Sequence, residues 1–252
     1  MKGYVRPVAM SNIAALIQLM HVKNFEIVSC RDSWQFIDGV IGCDSRTISW
    51  RQQHMNLMDF LLRRALGVDD RGDEDNDVWE RFGAKVAPLV IDSVGFTRTT
   101  QSSGIVHFLT QLAQARRHTE GVLLELDPIS FSFHADNCFA FFDHANAAVE
   151  AAIQVRKAIN AAAIPLGPEE HFGVSMGVGY GRLLRAGGED GYFGDEMNIA
   201  SKLGEDIGSR DDIFLSHGAY SAMTMREQFE FDELLGQVSG AEFQYYRLRD
   251  AT

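Results

Sequence analysis

Hydrophobic and polar residues fall into short periodic blocks that predict alternating strands and helices. Residues 86–91 are a continuous aliphatic run, too short for a helix, and predict a buried strand. Ile129, Phe131 and Phe133 alternate with polar residues, which predicts a second strand. Asp136 and Asn137 then predict a turn into a returning strand, residues 138–142. A fourth alternating block, residues 174–180, predicts one more strand.

Two helices are predicted between these strands. The first has Ile105, Phe108, Leu109 and Leu112 on one face and is expected to end at Gly121. The second is alanine-rich and begins at the capping residue Asp143. Its inward positions are expected to be Ala145, Ala148, Ala152, Val155 and Ile159. The order β-α-β-β-α-β is typical of the α+β class with a ferredoxin-like antiparallel sheet and helices on one face.

The chain continues on both sides of this unit. After it we predict a helix over residues 196–207, a strand over 213–216, a helix after His217 and a closing hairpin over 229–235 and 243–248. Before it, residues 1–67 are predicted to be mainly helical, either as a dimer contact, a sensor or a cap on the main domain. The acidic stretch 68–77 indicates a solvated linker. We therefore divide the chain into an N-terminal region, residues 1–77, and a main domain, residues 78–252.

Composition narrows the class of protein. A chain of 252 residues with 46% hydrophobic and 23% charged residues is ordinary for a globular protein. Its net charge of −12 argues against a nucleic-acid partner. No apolar run is long enough to span a membrane, and the N-terminus lacks a signal-peptide core. Cys30, Cys43 and Cys138 are scattered, which favours reduced thiols and a cytoplasmic protein and argues against zinc.

The candidate chemistry is at the end of the first strand, where Asp92 is followed by Gly95. A glycine turn exposes amide N–H groups that bind phosphates, and a carboxylate beside a phosphate requires a divalent cation between them. A strand-end Asp that caps the next turn is the alternative interpretation. If the first and second strands are neighbours, Asp92 faces Asp136, and the two repel unless one is protonated or a metal bridges them. Two cations held by both carboxylates and the carbonyl of Ile91 would neutralise a triphosphate.

Three motifs resemble those of class III nucleotidyl cyclases, over a region that extends from about residue 85 to the C-terminus. The first resembles their metal-binding motif and consists of Asp92, Ser93, Val94, Gly95, Phe96 and Thr97. In the second, Asp136 followed by Ala140 and Phe142 is similar to their second metal-binding hairpin. The third resembles their dimer-arm motif, with Phe193, Gly194, Asp195, Asn198, Ala200, Ser201 and Lys202 in order.

The resemblance implies a head-to-tail homodimer with active sites at the interface. It implies two Mn²⁺ or Mg²⁺ ions on Asp92, Asp136 and Ile91, and a nucleotide on the turn formed by Val94, Gly95, Phe96 and Thr97. Asn198 and Lys202, which share a helix face because they are four apart, would reach across from the other subunit. There Asn198 would orient the ribose and Lys202 would stabilise charge on the phosphorus. The reaction is attack of the 3′-hydroxyl on the α-phosphate of a nucleoside triphosphate, with release of pyrophosphate.

The chain departs from the family pattern at the positions that contact the nucleotide base in these cyclases. Ser132 replaces the Lys or Glu, and Gly191 the Asp or Cys, of the purine-reading pair. Lys202 replaces an Arg and loses its bidentate fork. Ser239 replaces a Lys that holds the distal phosphates, a task that Arg182 or Arg185 could take over.

Three interpretations follow, namely an inactive regulatory pseudocyclase, an adenylate or guanylate cyclase with unorthodox base contacts, and a pyrimidine cyclase. The third resembles the Pycsar-type cyclases of bacterial antiphage defence. Ser132 and His134 share a strand face with Asp136 and could meet a small base, while Tyr192 could fill the volume of a purine's second ring. We favour this interpretation, with UTP as substrate before CTP, and a downstream effector that reads the cyclic nucleotide.

Overall fold

The computed structural model describes residues 35–37, 40–42, 55–66, 75–187, 191–238 and 241–249. The chain divides into two compact units, Met1–Met55 and Asn56–Thr252. In the first, β1 (Gln35–Ile37) pairs antiparallel with β2 (Val40–Gly42). The helical structure predicted for residues 1–34, together with Cys30, Cys43 and Ser239, lies outside the described residues. Most of the predicted acidic linker, residues 68–74, also lies outside them, so the boundary after residue 77 stays a prediction.

Two helices begin the second unit. Helix α1 (Leu57–Ala65) starts at Asn56, whose Oδ1 accepts a hydrogen bond of 2.8 Å from the backbone N–H of Asp59. Helix α2 (Asp75–Phe82) starts inside the stretch predicted as linker, because Asp75 and Asp77 in its first turn complement the positive end of the helix dipole. Helix α1 lies in the region predicted to be mainly helical, residues 1–67, whereas the β1–β2 pair in that region was not predicted.

The next seven elements form the predicted β-α-β-β-α-β unit. They are β3 (Gly83–Val94), α3 (Phe96–Ser103), α4 (Ile105–Leu126), β4 (Ser130–His134), β5 (Asn137–Phe142), α5 (Ala145–Ala162) and β6 (Gly173–Val178). Their strands are ordered β6-β3-β5-β4, all antiparallel, which confirms the predicted class. The prediction that the first and second strands are neighbours is wrong. The crossover from β3 to β4 leaves a gap between these strands, and β5 occupies it.

The remaining elements extend the sheet. They are β7 (Gly181–Arg185), β8 (Tyr192–Phe193), α6 (Asp195–Ser201), a π-helical segment (Lys202–Ile207), β9 (Ile213–Ser216), α7 (His217–Ala222), a 3₁₀ turn (Arg226–Gln228), β10 (Phe231–Val238) and β11 (Ala241–Leu248). Strand β9 pairs in parallel with β6, which makes the sheet mixed, and β11 and β10 follow outside it. Strands β7 and β8, which pair with the start of β3 and with each other, were not predicted.

Helices cover both faces of the sheet. Ala87, Leu89 and Ile91 of β3 belong to the core with α4 and α5, and all five predicted inward positions of α5 are buried. On the opposite face, Leu203 of the π-helical segment packs with Phe214 and Tyr245. Within the β-α-β-β-α-β unit the helices α4 and α5 thus lie on one face, as predicted. The other face is covered by elements that follow the unit, because both faces of the buried strands β3 and β6 are apolar or small.

Two predicted helix boundaries also differ. Helix α4 runs through Gly121 to Leu126, because Gly121 is exposed and nothing crowds it. Helix α5 begins after His144, whose side chain makes no capping hydrogen bond, so Asp143 is not the cap. Neither change alters the sheet that positions the candidate site.

Candidate active site

Asp92 lies near the end of β3, just beyond the last residue that β3 pairs with β5. That last pair is Ile91 with Cys138, while on the other side Asp92 itself pairs with Ser175 of β6. The turn between β4 and β5 therefore lies beside Asp92, and this turn carries Asp136. The hydroxyl of Ser93 donates a hydrogen bond of 3.0 Å to Oδ2 of Asp136 and fixes the turn to β3. The two predicted metal-binding carboxylates are brought together, although by a different strand order from the one predicted.

Arg116 of α4 contacts the turn between β4 and β5. Its guanidinium donates to the carbonyl of Ala135, which has a positive φ of 50°, and lies over the ring of Phe133 at 5.1 Å. A left-handed conformation at a non-glycine residue is unfavourable. The hydrogen bond from Arg116 helps to hold it, and thereby helps to hold Asp136.

The electrostatics of Asp92 show how crowded the carboxylates are. Burial, and after it the nearby charges of Asp136, Glu205 and Asp206, together raise the pKa of Asp92 to about 7. A hydrogen bond from the backbone N–H of Ser93 opposes this shift. The pKa of Glu205 is raised as well, first by burial and then by Asp206 and Asp136. The end of β3 is therefore an acidic cluster in which negative charges repel one another.

Glu205 and Asp206 reach this cluster because the π-helical segment packs closely on the sheet. A Cβ on Gly204 would lie 3.0 Å from the carbonyl oxygen of Val90, which is tighter than an ordinary contact, so glycine favours this approach. Ser175 of β6 donates a hydrogen bond to the carbonyl of Gly204. Glu205 and Asp206 were not among the residues predicted from the sequence. The signal that could have indicated them is a pair of acidic residues directly after Gly204, in the helix that carries the dimer-arm motif.

Oxygen ligands in this arrangement fit a hard divalent cation. Two carboxylates, Asp92 and Asp136, and the carbonyl of Ile91 are the ligand types that Mg²⁺ and Mn²⁺ prefer. A cation would also relieve the repulsion that raises the pKa of Asp92. Among the described residues no group of three or more His, Cys, Asp or Glu side chains is placed to hold a metal ion. A Mg²⁺ site normally completes its coordination with water and substrate phosphates.

The turn predicted to bind phosphate follows β3 directly. Gly95 adopts a left-handed conformation, with φ of 101°, and the carbonyl of Gly95 accepts from the N–H of Thr99 at 3.0 Å. The first amides of α3, from Phe96 and Thr97, have no helical acceptor and are suited to an anion. Phe96 packs edge-on against Phe108 with ring centroids 4.9 Å apart, which anchors the start of the helix. Val94 and Gly95 are half-buried.

The two predicted catalytic residues lie on one continuous helical stretch. Asn198 of α6 is exposed, and Lys202 begins the π-helical segment and forms an ion pair with Asp206. Glu196 anchors this stretch, since its Oε2 accepts a hydrogen bond of 2.9 Å from the backbone N–H of Tyr180. In the single chain, Lys202 is thus engaged within the acidic cluster. The predicted reach of Asn198 and Lys202 into a partner subunit stays a prediction.

The residues predicted to meet the base lie on the same sheet face. Ser132 pairs across β4 and β5 with Phe139, which in turn pairs with Val90 of β3. The Nε2 of His134 lies 3.1 Å from the hydroxyl oxygen of Ser132. The ring centroids of His134 and Phe139 are 5.7 Å apart. His134 is exposed. The structure therefore brings Ser132 and His134 together, as predicted.

Tyr192 lies farther along that face and is 7% exposed. Its ring centroid is 4.6 Å from that of Phe141, which pairs with Pro88, four residues before Asp92 and so about 13 Å from it along the strand. Burial raises the pKa of Tyr192. Arg185, its register partner in β7, is exposed. Tyr192 is thus held by packing and fills space, and its position beside a base stays a prediction.

This architecture is the fold of nucleotidyl cyclase catalytic domains, as the motif resemblance predicted. It is similar to an adenylyl cyclase, CyaB from P. aeruginosa, with a TM-score of 0.57 and 22% identity over 68% of this chain and 96% of that one. It is also similar to the guanylyl cyclase Cya2, with a TM-score of 0.59 and 16% identity over 68% of this chain and 94% of that one. It is similar, too, to an adenylate/guanylate cyclase/hydrolase from Silicibacter pomeroyi. The TM-score is 0.57 and the identity 20%, over 66% of this chain and 96% of that one.

No protein-family model matches the chain, and no curated protein matches it. In the described part of the chain, none of the helices combines the length and apolar character that a membrane span needs. The shared feature is thus the fold, and the chemistry has to be argued from the acidic cluster and the residues around it.

Proposed function

We propose that the protein is a pyrimidine nucleotide cyclase that converts UTP, in preference to CTP, into its 3′,5′-cyclic monophosphate and pyrophosphate. The observation that carries this proposal is the meeting of Asp92 and Asp136 at the end of β3, beside the Gly95 turn, in a chain with the fold of nucleotidyl cyclases. Crowded carboxylates destabilise a protein unless they bind something. A structural domain without catalysis has no need of them.

Each residue has a physical task in this reaction. The amides after Gly95 bind the phosphates, and Asp92, Asp136 and the carbonyl of Ile91 would hold two Mn²⁺ or Mg²⁺ ions. When bound, such ions neutralise the triphosphate and lower the pKa of the attacking 3′-hydroxyl. Asn198 orients the ribose, and the ammonium of Lys202 stabilises the charge that develops around the α-phosphorus. The protein thus contributes alignment and a preorganised field.

The site is completed by a second subunit. Lys202 forms an ion pair with Asp206 in the single chain, so its ammonium can serve a second chain's phosphates only when this contact is exchanged. In a head-to-tail homodimer, Asn198 and Lys202 of one protomer face the carboxylates of its partner. The exchange makes formation of the active site depend on dimerisation.

The choice of a pyrimidine rests on the surface beside Phe139. Ser132 is short and hydrogen-bonded to His134, and Gly191 has no side chain, so neither supplies the long polar groups that read a purine edge. His134 is exposed and can donate to or accept from a small base. Tyr192 and Phe141 fill the adjoining space. The product would serve as a second messenger in antiphage defence, read by an effector that binds the cyclic nucleotide.

One assay tests the proposal. The purified chain is incubated with ATP, GTP, UTP and CTP separately, with Mn²⁺ or Mg²⁺, and the products are separated by chromatography and identified by mass. We expect cyclic UMP as the main product, a smaller amount of cyclic CMP, and none without a divalent cation. A purine cyclic nucleotide as the only product would exclude pyrimidine specificity.

The control for substitutions of the carboxylates at the site is Glu125→Ala, which removes an exposed carboxylate from the outer surface of α4. This variant should retain full activity. Absence of product from all four nucleotides, at protein concentrations where a dimer is seen by light scattering, would identify the chain as a pseudocyclase.

A further inference from the structure

An ion pair lies against the turn that is proposed to bind the phosphates. Nη2 of Arg98, in the first turn of α3, donates a hydrogen bond to Oε1 of Glu170, on the loop between α5 and β6. Both atoms are close to Gly95, because a Cβ built on this glycine would be 3.6 Å from each of them. A guanidinium and a carboxylate are therefore placed together beside the amides that follow Gly95.

Glu170 is the fixed member of this pair. Its backbone carbonyl accepts hydrogen bonds from the N–H groups of Leu166, at 2.7 Å, and Gly167, at 3.1 Å, which closes the loop on itself. The carbonyl oxygen of Leu166 lies 3.1 Å from Nε2 of His107 on α4, and the side chain of Leu166 is buried. Because the loop is anchored in this way, the backbone of Glu170 keeps its place when Arg98 moves.

Arg98 is the exchangeable member of the pair. Its side chain is 67% exposed, and that of Glu170 is 35% exposed. An ion pair this open to solvent contributes little to stability. A guanidinium that binds phosphate through two parallel N–H groups makes a stronger contact, since the planar fork matches the phosphate oxygens. Arg98 can therefore leave the carboxylate for a phosphate with a net gain.

The two arginines considered from the sequence for the distal phosphates lie elsewhere in the single chain. Arg182 donates a hydrogen bond of 2.9 Å to the carbonyl of Trp79 and lies over its ring. It pairs with Lys85 of β3, about 30 Å along the strand from the Gly95 turn. Arg185 lies farther along β7, beyond the residues that pair with β3. Arg98, by contrast, is already at the turn.

We propose that Arg98 binds the β- and γ-phosphates of the nucleotide, whose place at the Gly95 turn rests on the proposed function, and that Glu170 holds this guanidinium until a triphosphate takes it over. The carboxylate of Glu170 competes with the phosphates for the guanidinium and also repels them. Glu170 thus lowers the affinity of the site for polyphosphates. The same competition favours release of pyrophosphate, since Arg98 returns to Glu170 when the product leaves.

The test is isothermal titration calorimetry of the full chain with inorganic tripolyphosphate in the presence of Mg²⁺. Tripolyphosphate has the phosphates of the substrate without its ribose or base, so its binding does not require cyclase activity. Arg98→Gln should weaken binding by about tenfold, and Glu170→Gln should tighten it by about three- to tenfold. Absence of binding to the unmodified chain, no effect of Arg98→Gln, or weakening by both variants would overturn the proposal.

The opposite signs exclude a merely structural role for the ion pair. If the pair only held the loop to α3, both variants would lose the same contact and would change the affinity in the same direction. Glu169→Gln removes the same charge from an exposed position one residue away, and Arg117→Gln removes an exposed cation from α4. Both controls should leave the affinity unchanged. Tightening by Glu169→Gln as large as that by Glu170→Gln would show that only net charge acts, and would contradict the proposal.

Two outcomes distinguish a failure of Arg98 from a failure of the cyclase reaction. A chain that makes no cyclic nucleotide, but binds tripolyphosphate with the two opposite shifts, would support the role of Arg98 and contradict the cyclase assignment. A chain that makes cyclic UMP, but whose KM for UTP and affinity for tripolyphosphate are unchanged by Arg98→Gln, would support the cyclase assignment and overturn the role of Arg98.

Discussion

Two ends of one sheet face are held in opposite ways. At the acid end, which consists of Asp92, Asp136, Glu205 and Asp206, burial and then the like charges beside it raise the pKa of Asp92 to about 7. At the aromatic end, which consists of Phe139, Phe141 and Tyr192, rings pack against one another within ordinary contact. Lys202 balances Asp206 at the acid end, and a bound cation would relieve the repulsion on Asp92, whereas the aromatic end is stable without a ligand. In the proposed function, the contrast assigns the reaction to the first end and the selectivity for the base to the second.

The strongest test of this division removes a carboxylate from the acid end. Asp92→Ala should lower cyclase turnover by at least about 100-fold, because one of the two metal-binding side chains is lost. It should leave the thermal midpoint unchanged or higher in metal-free buffer, since a repulsion is removed. Turnover is measured from product formation under saturating Mn²⁺. Activity close to that of the unmodified chain would place the chemistry elsewhere.

The second test displaces the helix that brings Glu205 and Asp206 to the acid end. Gly177→Ala should destabilise the protein by about 1–3 kcal/mol or more, because a Cβ there would clash with the backbone carbonyl of Ala200 in α6. Its counterpart is Gly121→Ala, at an exposed helical position with open space, which should stabilise by about 0.5–1 kcal/mol. Urea denaturation of both variants measures the difference. Equal midpoints would show that the helix does not depend on this close contact.

A third test distinguishes a residue proposed to contact the base, His134, from a residue of the aromatic end, Tyr192. His134→Ala should raise the KM for UTP by about three- to tenfold through loss of a hydrogen bond, with a smaller change in kcat. Tyr192→Phe keeps the ring against Phe141 and should leave both constants unchanged. Steady-state kinetics with UTP and CTP distinguish the two. If Tyr192→Phe raises KM as much as His134→Ala does, the Tyr192 hydroxyl contacts substrate and the aromatic end is more than packing.

The smallest expected effect concerns pH. Because the pKa of Asp92 is raised when the chain is folded, its ionised form destabilises the native state, and this penalty appears as pH rises from the unfolded value of 3.8 through about 7. Asp92→Asn should therefore gain thermal stability over the unmodified chain between pH 5 and pH 8 in EDTA, by an increasing margin. Differential scanning calorimetry at several pH values measures this margin. A margin that does not change with pH would show that the pKa of Asp92 is not raised in the folded chain.

Much of this arrangement followed from local sequence pattern. The buried run before Asp92, the turn at Asp136 and the alanine-rich helix were predicted because periodicity and turn residues determine them. The pairing of β3 with β5 was not predicted, because β5 lies in the space between β3 and β4. The hydrophobic pattern of a single strand does not indicate which strand will be its neighbour. Strand β7 alternates poorly and β8 has two residues, so neither is recognisable in sequence. Glu205 and Asp206 depend on packing of Gly204 against Val90.

The π-helical segment Lys202–Ile207 has one further consequence. Its hydrogen bonds span five residues, whereas those of the preceding α-helix span four, so one extra residue is accommodated per turn. Deleting a single residue there would let the α-helix continue and would rotate the following acids away from the sheet. The number of residues between Asn198 and the end of this segment therefore determines whether Glu205 and Asp206 lie beside the end of β3.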